Sequence, residues 1–170
     1  NPAVLRGQLI REVLGAAAIL VPLIIVLLLL TTSYWLAPFL VLASIGIVVL
    51  INVGSNAITG EVSFITQAVS PILQLAVSLD YAIFLLNSFE RHRLTQPDTR
   101  LAMCAAIRDS FASVAASAIT TLFGFVALVF MNFQIGSDLG LNLVKGVVLS
   151  YVAVVIFLPA LTLSCIKLLD

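Results

Sequence analysis

An aspartate, Asp80, lies in the middle of a hydrophobic stretch long enough to cross a lipid bilayer, and Tyr81 follows it. A carboxylate at the bilayer centre is costly, so intramembrane acids face the protein interior or a wet cavity and mark ion or proton pathways. Desolvation favours the neutral acid, whereas a nearby cation or hydroxyl donor favours the carboxylate. A group balanced between these effects can take a proton from one side of the membrane and release it to the other. The alternative is a structural aspartate that bridges helices by hydrogen bonds.

A later hydrophobic segment carries a stripe of small and hydroxylated residues at helical spacing: Ser110, Ser113, Ser117, Thr120, Thr121 and Gly124. Small residues let membrane helices approach closely, and hydroxyls can bond across the contact. Such a stripe alone indicates packing more often than function. It gains weight beside Asp80, because a buried acid needs hydrogen-bond donors. We therefore predict that four of its members support the proton relay: Ser113, Ser117, Thr120 and Thr121.

Two further polar residues are secondary candidates, Asn87 and Lys145. Helical spacing places Asn87 on the same broad face as Asp80, together with Leu73, Ala76, Phe84 and Arg91. Lys145 is the other intramembrane charge, and its depth favours a lysine that snorkels to the outer boundary over a deep counter-ion. His92 has no second ligand at helical spacing, so no metal site is predicted.

The composition is that of an integral membrane protein. Hydrophobic residues make up 62% of the chain and charged residues only 9%. Uncharged runs cover 13–60, 62–79, 110–137 and 146–166, and a spanning helix needs about 20 mostly apolar residues. The first run must hold two spans. The sequence therefore predicts an all-α bundle of five transmembrane helices, at about 14–30, 36–53, 65–88, 110–130 and 139–166.

Shorter features are expected between the spans. Two polar groups of residues, 54–56 and 59–61, suggest a polar loop after the second span. The alternation of arginines with apolar residues over 99–109 suggests a short amphipathic helix at the cytoplasmic interface. Asp138 is expected to cap the start of the last span. Cys104 and Cys165 are expected to be packing residues rather than a disulfide.

The distribution of arginines predicts the orientation. Arg91, Arg93, Arg100 and Arg108 cluster in the loop 89–109, and positive residues are retained on the cytoplasmic side. Arg6 and Arg11 then fall on the wrong side, but four clustered charges outweigh two. We expect a multi-pass protein of the plasma (inner) membrane with this loop in the cytoplasm.

Several function classes are disfavoured. The net charge is zero with no basic tail, so nothing points to nucleic acid. No GxxxxGK loop occurs, so the chain does not itself use ATP. Intramembrane aspartyl proteases combine Tyr-Asp, Gly-x-Gly-Asp and Pro-Ala-Leu; here the order is Asp80-Tyr81, and Asp138 lies at an outer loop. A protease is therefore only a remote alternative, and no enzyme is expected.

Three segments read together resemble a known superfamily. They are LAVSLDYAIFLL from Leu75, SVAASAITTLFGF from Ser113, and DLGLNLVKGVVLS from Asp138 followed by LPAL from Leu158. In this order they are similar to the resistance-nodulation-division transporters, and most of all to the MMPL-type branch. The likeness covers nearly the whole chain, and the ordered trio is far more specific than any one motif.

The resemblance implies a secondary active transporter rather than an enzyme. Members have two similar halves, each with one helix, a large external domain and five further helices. Residues 1–170 resemble those five helices, a single transmembrane domain without the external porter domain and the second half. The implied activity is export of lipids or other hydrophobic compounds, with Asp80 and Tyr81 as the proton-relay pair and the proton gradient in place of a cofactor. The implied partners are the second half of the same transporter and the lipid or hydrophobic substrate. The resemblance leaves open whether the protein also forms a homo-oligomer.

One departure and one alternative accompany the resemblance. Many relatives have a glycine four residues before the aspartate, where this chain has Ala76, which makes the geometry of the pathway less certain than the identity of the acid. The five-helix unit also resembles the sterol-sensing domain of eukaryotic membrane proteins. The alternative function is thus a lipid-responsive regulatory module that does not pump.

Overall fold

The computed structural model describes residues 2–31, 35–59 and 62–169, and these residues form an all-α bundle. Its helices are α1 (Pro2–Thr31), α2 (Ala37–Thr59), α3 (Phe64–Thr95), α4 (Thr99–Val129), α5 (Gln134–Val152) and α6 (Leu158–Leu169). A π-helical turn, Ala153–Phe157, joins α5 to α6 without a break in helical backbone. Five helical segments are long and apolar enough to cross a membrane, the last running Gln134–Ile166. The predicted fold class and number of spans are confirmed.

The predicted polar loop begins too early: α2 and α3 are joined after Thr59, and residues 60 and 61 lie outside the described residues. Gly54, Ser55 and Asn56 belong to α2, which continues to Thr59. Asn56 is buried and the Ser55 hydroxyl donates to the carbonyl of Asn52 at 2.7 Å. These polar groups are satisfied by neighbouring helices and by their own backbone, so they do not end the helix.

The expected separate amphipathic helix is also wrong, because residues 99–109 are the first turns of α4. Asp98 caps this helix, and its side chain accepts a hydrogen bond from the backbone N–H of Arg100 at 2.9 Å. No glycine or proline follows until Gly124, so nothing in the chain interrupts the helix at the membrane boundary.

Asp138 does not cap the last span. The helix begins at Gln134, with Phe133 at the cap position and no side-chain cap bond, so Asp138 lies inside α5. This earlier start also places Lys145 deeper in the helix than the predicted boundary at residue 139.

Close contact between α4 and α5 depends on Gly140. A Cβ atom there would lie 2.9 Å from both the Phe125 carbonyl oxygen and the Val129 nitrogen, which are backbone atoms that cannot turn away. Small residues at membrane helix contacts allow this approach.

The core lies where all the helices meet, and it is filled by apolar side chains from each of them: Leu28, Val41, Ile45, Leu85, Phe89, Met103, Val147 and Leu158. In contrast, only 11% of the most apolar segment is buried in both α1 and α4. Both helices therefore expose much of their surface. The two cysteines are free, with Cys104 exposed and Cys165 half-buried.

Candidate functional site

Asp80 and Tyr81 are adjacent in sequence but lie on different faces of α3. Tyr81 is 2% exposed and belongs to the core, whereas Asp80 is exposed. The divergence follows from the helical period, which turns successive side chains by about 100°. The acid therefore lies on the outer surface of this bundle, and the tyrosine lies within it.

The face predicted around Asp80 exists as a continuous exposed strip. All of its members are exposed: Leu73, Ala76, Asp80, Phe84, Asn87 and Arg91. Asn87 thus shares the surface of Asp80, toward the end of α3 that carries the arginine cluster. We call these six residues the Asp80 face.

The hydroxyl stripe of α4 is exposed over most of its length, although Ser110 at its start is buried. Ser113, Ser117 and Thr120 are exposed and Thr121 is half-buried. The hydroxyls of Thr120 and Thr121 donate to the carbonyls of Ala116 and Ser117, each at 2.9 Å. A Cβ atom added at Gly124 would meet nothing within 4 Å. Among the residues that the structure describes, no hydrogen bond joins this stripe to Asp80.

Tyr81 is the link between the two surfaces. Its hydroxyl lies near Thr121 of α4. The Tyr81 Oη atom is nevertheless buried with no partner in hydrogen-bonding geometry among the described groups. A buried hydroxyl with unused hydrogen-bonding capacity thus lies between α3, which carries the Asp80 face, and α4, which carries the hydroxyl stripe.

Lys145 does not reach Asp80. Its ammonium donates to Asn56 Oδ1 at 2.6 Å, so its partner is a neutral amide at the far end of α2. The side chain is half-buried. It connects α5 to α2, on the opposite side of α3 from the Asp80 face.

Sequence reasoning missed a buried polar cluster between α2, α3 and α5. Asn52 Nδ2 donates to Gln74 Oε1 at 2.7 Å and, more weakly, to the Asn142 carbonyl at 3.4 Å. Gln74 Nε2 lies 3.4 Å from the Gly146 carbonyl and 3.5 Å from Ser150 Oγ. A Cβ at Gly146 would lie 3.0 Å from Asn52 Nδ2, so this glycine lets the amides approach α5.

The signal for this cluster was present in the spacing. Along α3 the buried polar residues recur every fourth position, at Thr66, Ser70, Gln74 and Ser78. Residues at this spacing line one side of a helix and therefore face one neighbouring helix. None of the four is charged, so the cost of charge in a membrane does not single them out.

His92 makes a contact that sequence reasoning did not foresee. Its Nε2 atom lies 2.6 Å from Asp109 Oδ2, which ties the end of α3 to the early turns of α4. The pair is largely exposed, so it orients the two helices at the surface more than it stabilises the fold.

Comparison with known proteins now decides the family. A sequence profile of the MMPL family matches residues 7–165. The chain belongs to the MMPL family. This confirms the resemblance drawn from the three motifs, all of which lie within the matched residues.

Two curated relatives come from Streptomyces coelicolor. The membrane protein SCO0839 is 35% identical over 94 residues, which are 55% of this chain and 13% of the relative. The membrane protein SCO5905 is 26% identical over 157 residues, which are 88% of this chain and 18% of the relative. The chain thus spans less than a fifth of the length of either relative. No solved structure gives a significant match.

Proposed function

We propose that this chain is half of the membrane domain of a proton-driven exporter of lipids or other hydrophobic compounds, with Asp80 as the proton carrier. One observation carries the proposal. Asp80 stands on an exposed face of a membrane helix, beside a buried tyrosine hydroxyl without a partner. A carboxylate in that position is stable only if protein or water covers it.

The bare surfaces indicate what covers it. The Asp80 face and the hydroxyl stripe belong to two helices that pack together, α3 and α4, and both expose polar side chains inside membrane-spanning segments. Small and hydroxylated residues pack membrane helices together. The relatives are more than five times longer than the matched segment. We therefore propose that a second bundle of the same polypeptide packs on this surface and supplies the remaining hydrogen-bond partners of Asp80.

The mechanism follows from the change in charge. Protonation makes Asp80 neutral, which lowers the cost of moving it within the membrane and changes its bonding to Tyr81 and to the hydroxyls of α4. The helix can then shift against the second bundle. Moving one charge through the field provides about 2.3 kcal/mol per 100 mV, so one or two protons give a useful driving force.

The orientation of this cycle is part of the proposal. With the loop 89–109 in the cytoplasm of a plasma-membrane protein, the Asn87 end of the Asp80 face is cytoplasmic. The end that carries Lys145 and Asn56 is then external. The proton enters from that end, is held at Asp80, and leaves past Asn87.

The variant Asp80→Asn in the full-length protein tests the proposal. Asparagine is a neutral near-isostere, so the protein should fold, as measured by yield and thermal stability in detergent. Proton-dependent export should fall to the level of the empty vector. Asp138→Asn is the matched control, since it makes the same chemical change at the end of α5 and should keep export. Normal export by Asp80→Asn rules out the relay, and loss of folding supports a structural aspartate.

A second candidate function has its own supporting observation. A cavity of about 330 Å³ opens between α1, α2 and α3, and its lining is entirely apolar: Ala17, Leu20, Val21, Gly46, Val49, Leu50, Pro71, Ile72 and Leu75. Such a cavity suits a sterol or an acyl chain, as a lipid-responsive module would need.

Lipid binding separates the two functions. Gly46→Leu should fill the cavity, because a Cβ there meets nothing within 4 Å. Saturable sterol binding that is lost in Gly46→Leu, kept in Asp80→Asn and accompanied by no transport would favour the lipid-responsive module. Export that depends on Asp80 favours the transporter.

A further inference from the structure

The polar cluster between α2, α3 and α5 lies outside the Asp80 site and has a chemistry of its own. We call Asn52, Gln74 and Asn142 the amide cluster. Their side chains are at most 5% exposed, and two of the helices that hold them, α2 and α3, are joined by the bond from Asn52 to Gln74. Three amides buried together in a membrane helix bundle are costly unless their polar atoms are used.

The amide cluster leaves three polar atoms without a described partner. These atoms are Asn52 Oδ1, Asn142 Oδ1 and Asn142 Nδ2. The two residues are close neighbours, because Asn52 Nδ2 already reaches the Asn142 carbonyl. Two acceptors and one donor match water, which donates two hydrogen bonds and accepts others. Buried polar groups without protein partners are the usual sites of ordered water.

The cluster continues toward the external end proposed above. Lys145 is half-buried and donates to the neutral Asn56. Since an ammonium inside a membrane is stable only when hydrated or paired, this end of the cluster favours water. Thr66 and Ser70 are also buried on the same face of α3, which extends the polar surface to the start of that helix.

At its inner end the cluster reaches the level of Asp80. The Ser78 hydroxyl donates to the Gln74 carbonyl at 2.7 Å, and its oxygen lies within hydrogen-bonding distance of Ser150 Oγ. Tyr81 lies three residues further along α3 and is the next buried polar residue of that helix. Its hydroxyl has no described partner.

We propose that the amide cluster binds a file of water molecules and forms the external proton entry to Tyr81 and Asp80. Each water or serine hydroxyl accepts one proton and releases another, so no group along the file changes its net protonation and the proton comes to rest on Asp80. The conduction step rests on the proposed function. The binding of water does not, which allows the two to be tested apart.

The first experiment measures hydration without any transport. Asn142→Cys is placed in the full-length protein after replacement of its native cysteines, and is treated from outside with a small water-soluble thiosulfonate. Leu143→Cys is the matched control, since Leu143 is the next residue and is 1% exposed. We expect Asn142→Cys to react at least ten-fold faster. Equal rates overturn the proposal. If Asn142→Cys does not fold, the conservative Ser150→Cys replaces it with the same expectation.

The second experiment measures conduction. The double variant Asn52→Leu with Asn142→Leu removes the three unpartnered atoms, and should slow proton uptake by the full-length protein in liposomes about ten-fold. Ser44→Ala is the control, because Ser44 is buried two turns away on α2 and should leave uptake unchanged. Unchanged uptake in a folded double variant overturns the proposal. If Asp80→Asn also keeps normal proton uptake, the proposed function fails. Fast labelling of Asn142→Cys would then still establish that water reaches the amide cluster.

Discussion

Asp80 and Tyr81 lie on two different surfaces of α3. The carboxyl group is exposed, whereas the tyrosine ring is packed in the core. In our proposal, a second bundle covers the carboxyl group, so a change in the protonation of Asp80 acts at that contact and beside the buried tyrosine.

The Tyr81→Phe variant tests the role of the hydroxyl. It removes a buried Oη atom that has no partner and keeps the ring, so the free energy of unfolding should change by no more than about 1 kcal/mol. Proton-coupled export should fall several-fold. Tyr151→Phe is the control, because Tyr151 packs edge-on against Phe111 at 6.0 Å between ring centroids. Equal export by both variants would contradict a role for the Tyr81 hydroxyl.

At the residue scale, the sequence predicted the Asp80 face well and the amide cluster poorly. The face follows from helical spacing around one residue whose cost in a membrane is large, so the prediction needed no tertiary information. Asn52, Gln74 and Asn142 are uncharged, and whether they form a buried cluster depends on how α2, α3 and α5 pack. The sequence of one helix does not show which residue of another helix bonds to its amide side chain.

At the scale of the elements, hydrophobic length predicted five spans, but the ends of the helices were misplaced. Polar residues such as Asn56 and Asp138 were expected to stop helices, and both lie within helices. In a membrane bundle the helical backbone is already fully bonded, so a polar side chain needs only a partner on a neighbour. The ends are therefore set by packing and caps, which the composition of one segment does not reveal.

Gly140 allows a prediction about the packing of α4 on α5. Gly140→Ala places a methyl group 2.9 Å from two backbone atoms of α4, so the helices must separate, at a cost of about 1–3 kcal/mol. Gly54→Ala is the matched control, since its added methyl meets nothing within 4 Å and alanine favours helix. Thermal unfolding in detergent should show a lower midpoint for Gly140→Ala alone. Equal midpoints would contradict the close approach of α4 and α5 at Gly140.

At the scale of the whole molecule, the bundle has a packed core and polar residues on its outer surface. Five long helices close the core, yet most of the hydroxyl stripe of α4 and all of the Asp80 face remain exposed. The chain covers 13% and 18% of its relatives. Membership of the MMPL family, and with it the expectation of a second half, could be inferred from three motifs. The sequence did not show which surface the proposed second half covers, because that depends on which polar residues the packed bundle leaves exposed.

Tryptophan substitution tests whether the bare surface is covered in the full-length protein. Ser117→Trp adds a large ring to the hydroxyl stripe and should reduce folded yield and export at least ten-fold, because a protein contact cannot admit it. Ile19→Trp is the control on α1, where Ile19 is 72% exposed and belongs to neither the Asp80 face nor the hydroxyl stripe. Full activity of Ser117→Trp would show that lipid, not protein, covers α4.

The central claim is that Asp80 carries the proton, and proton uptake measures it most directly. Full-length protein in liposomes with an internal pH dye should acidify the lumen when a pH gradient and substrate are supplied. The account predicts that Asp80→Asn, folded and inserted at wild-type levels, abolishes this uptake, while Asp80→Glu retains part of it and Asp138→Asn all of it. Undiminished proton uptake by Asp80→Asn would contradict the account.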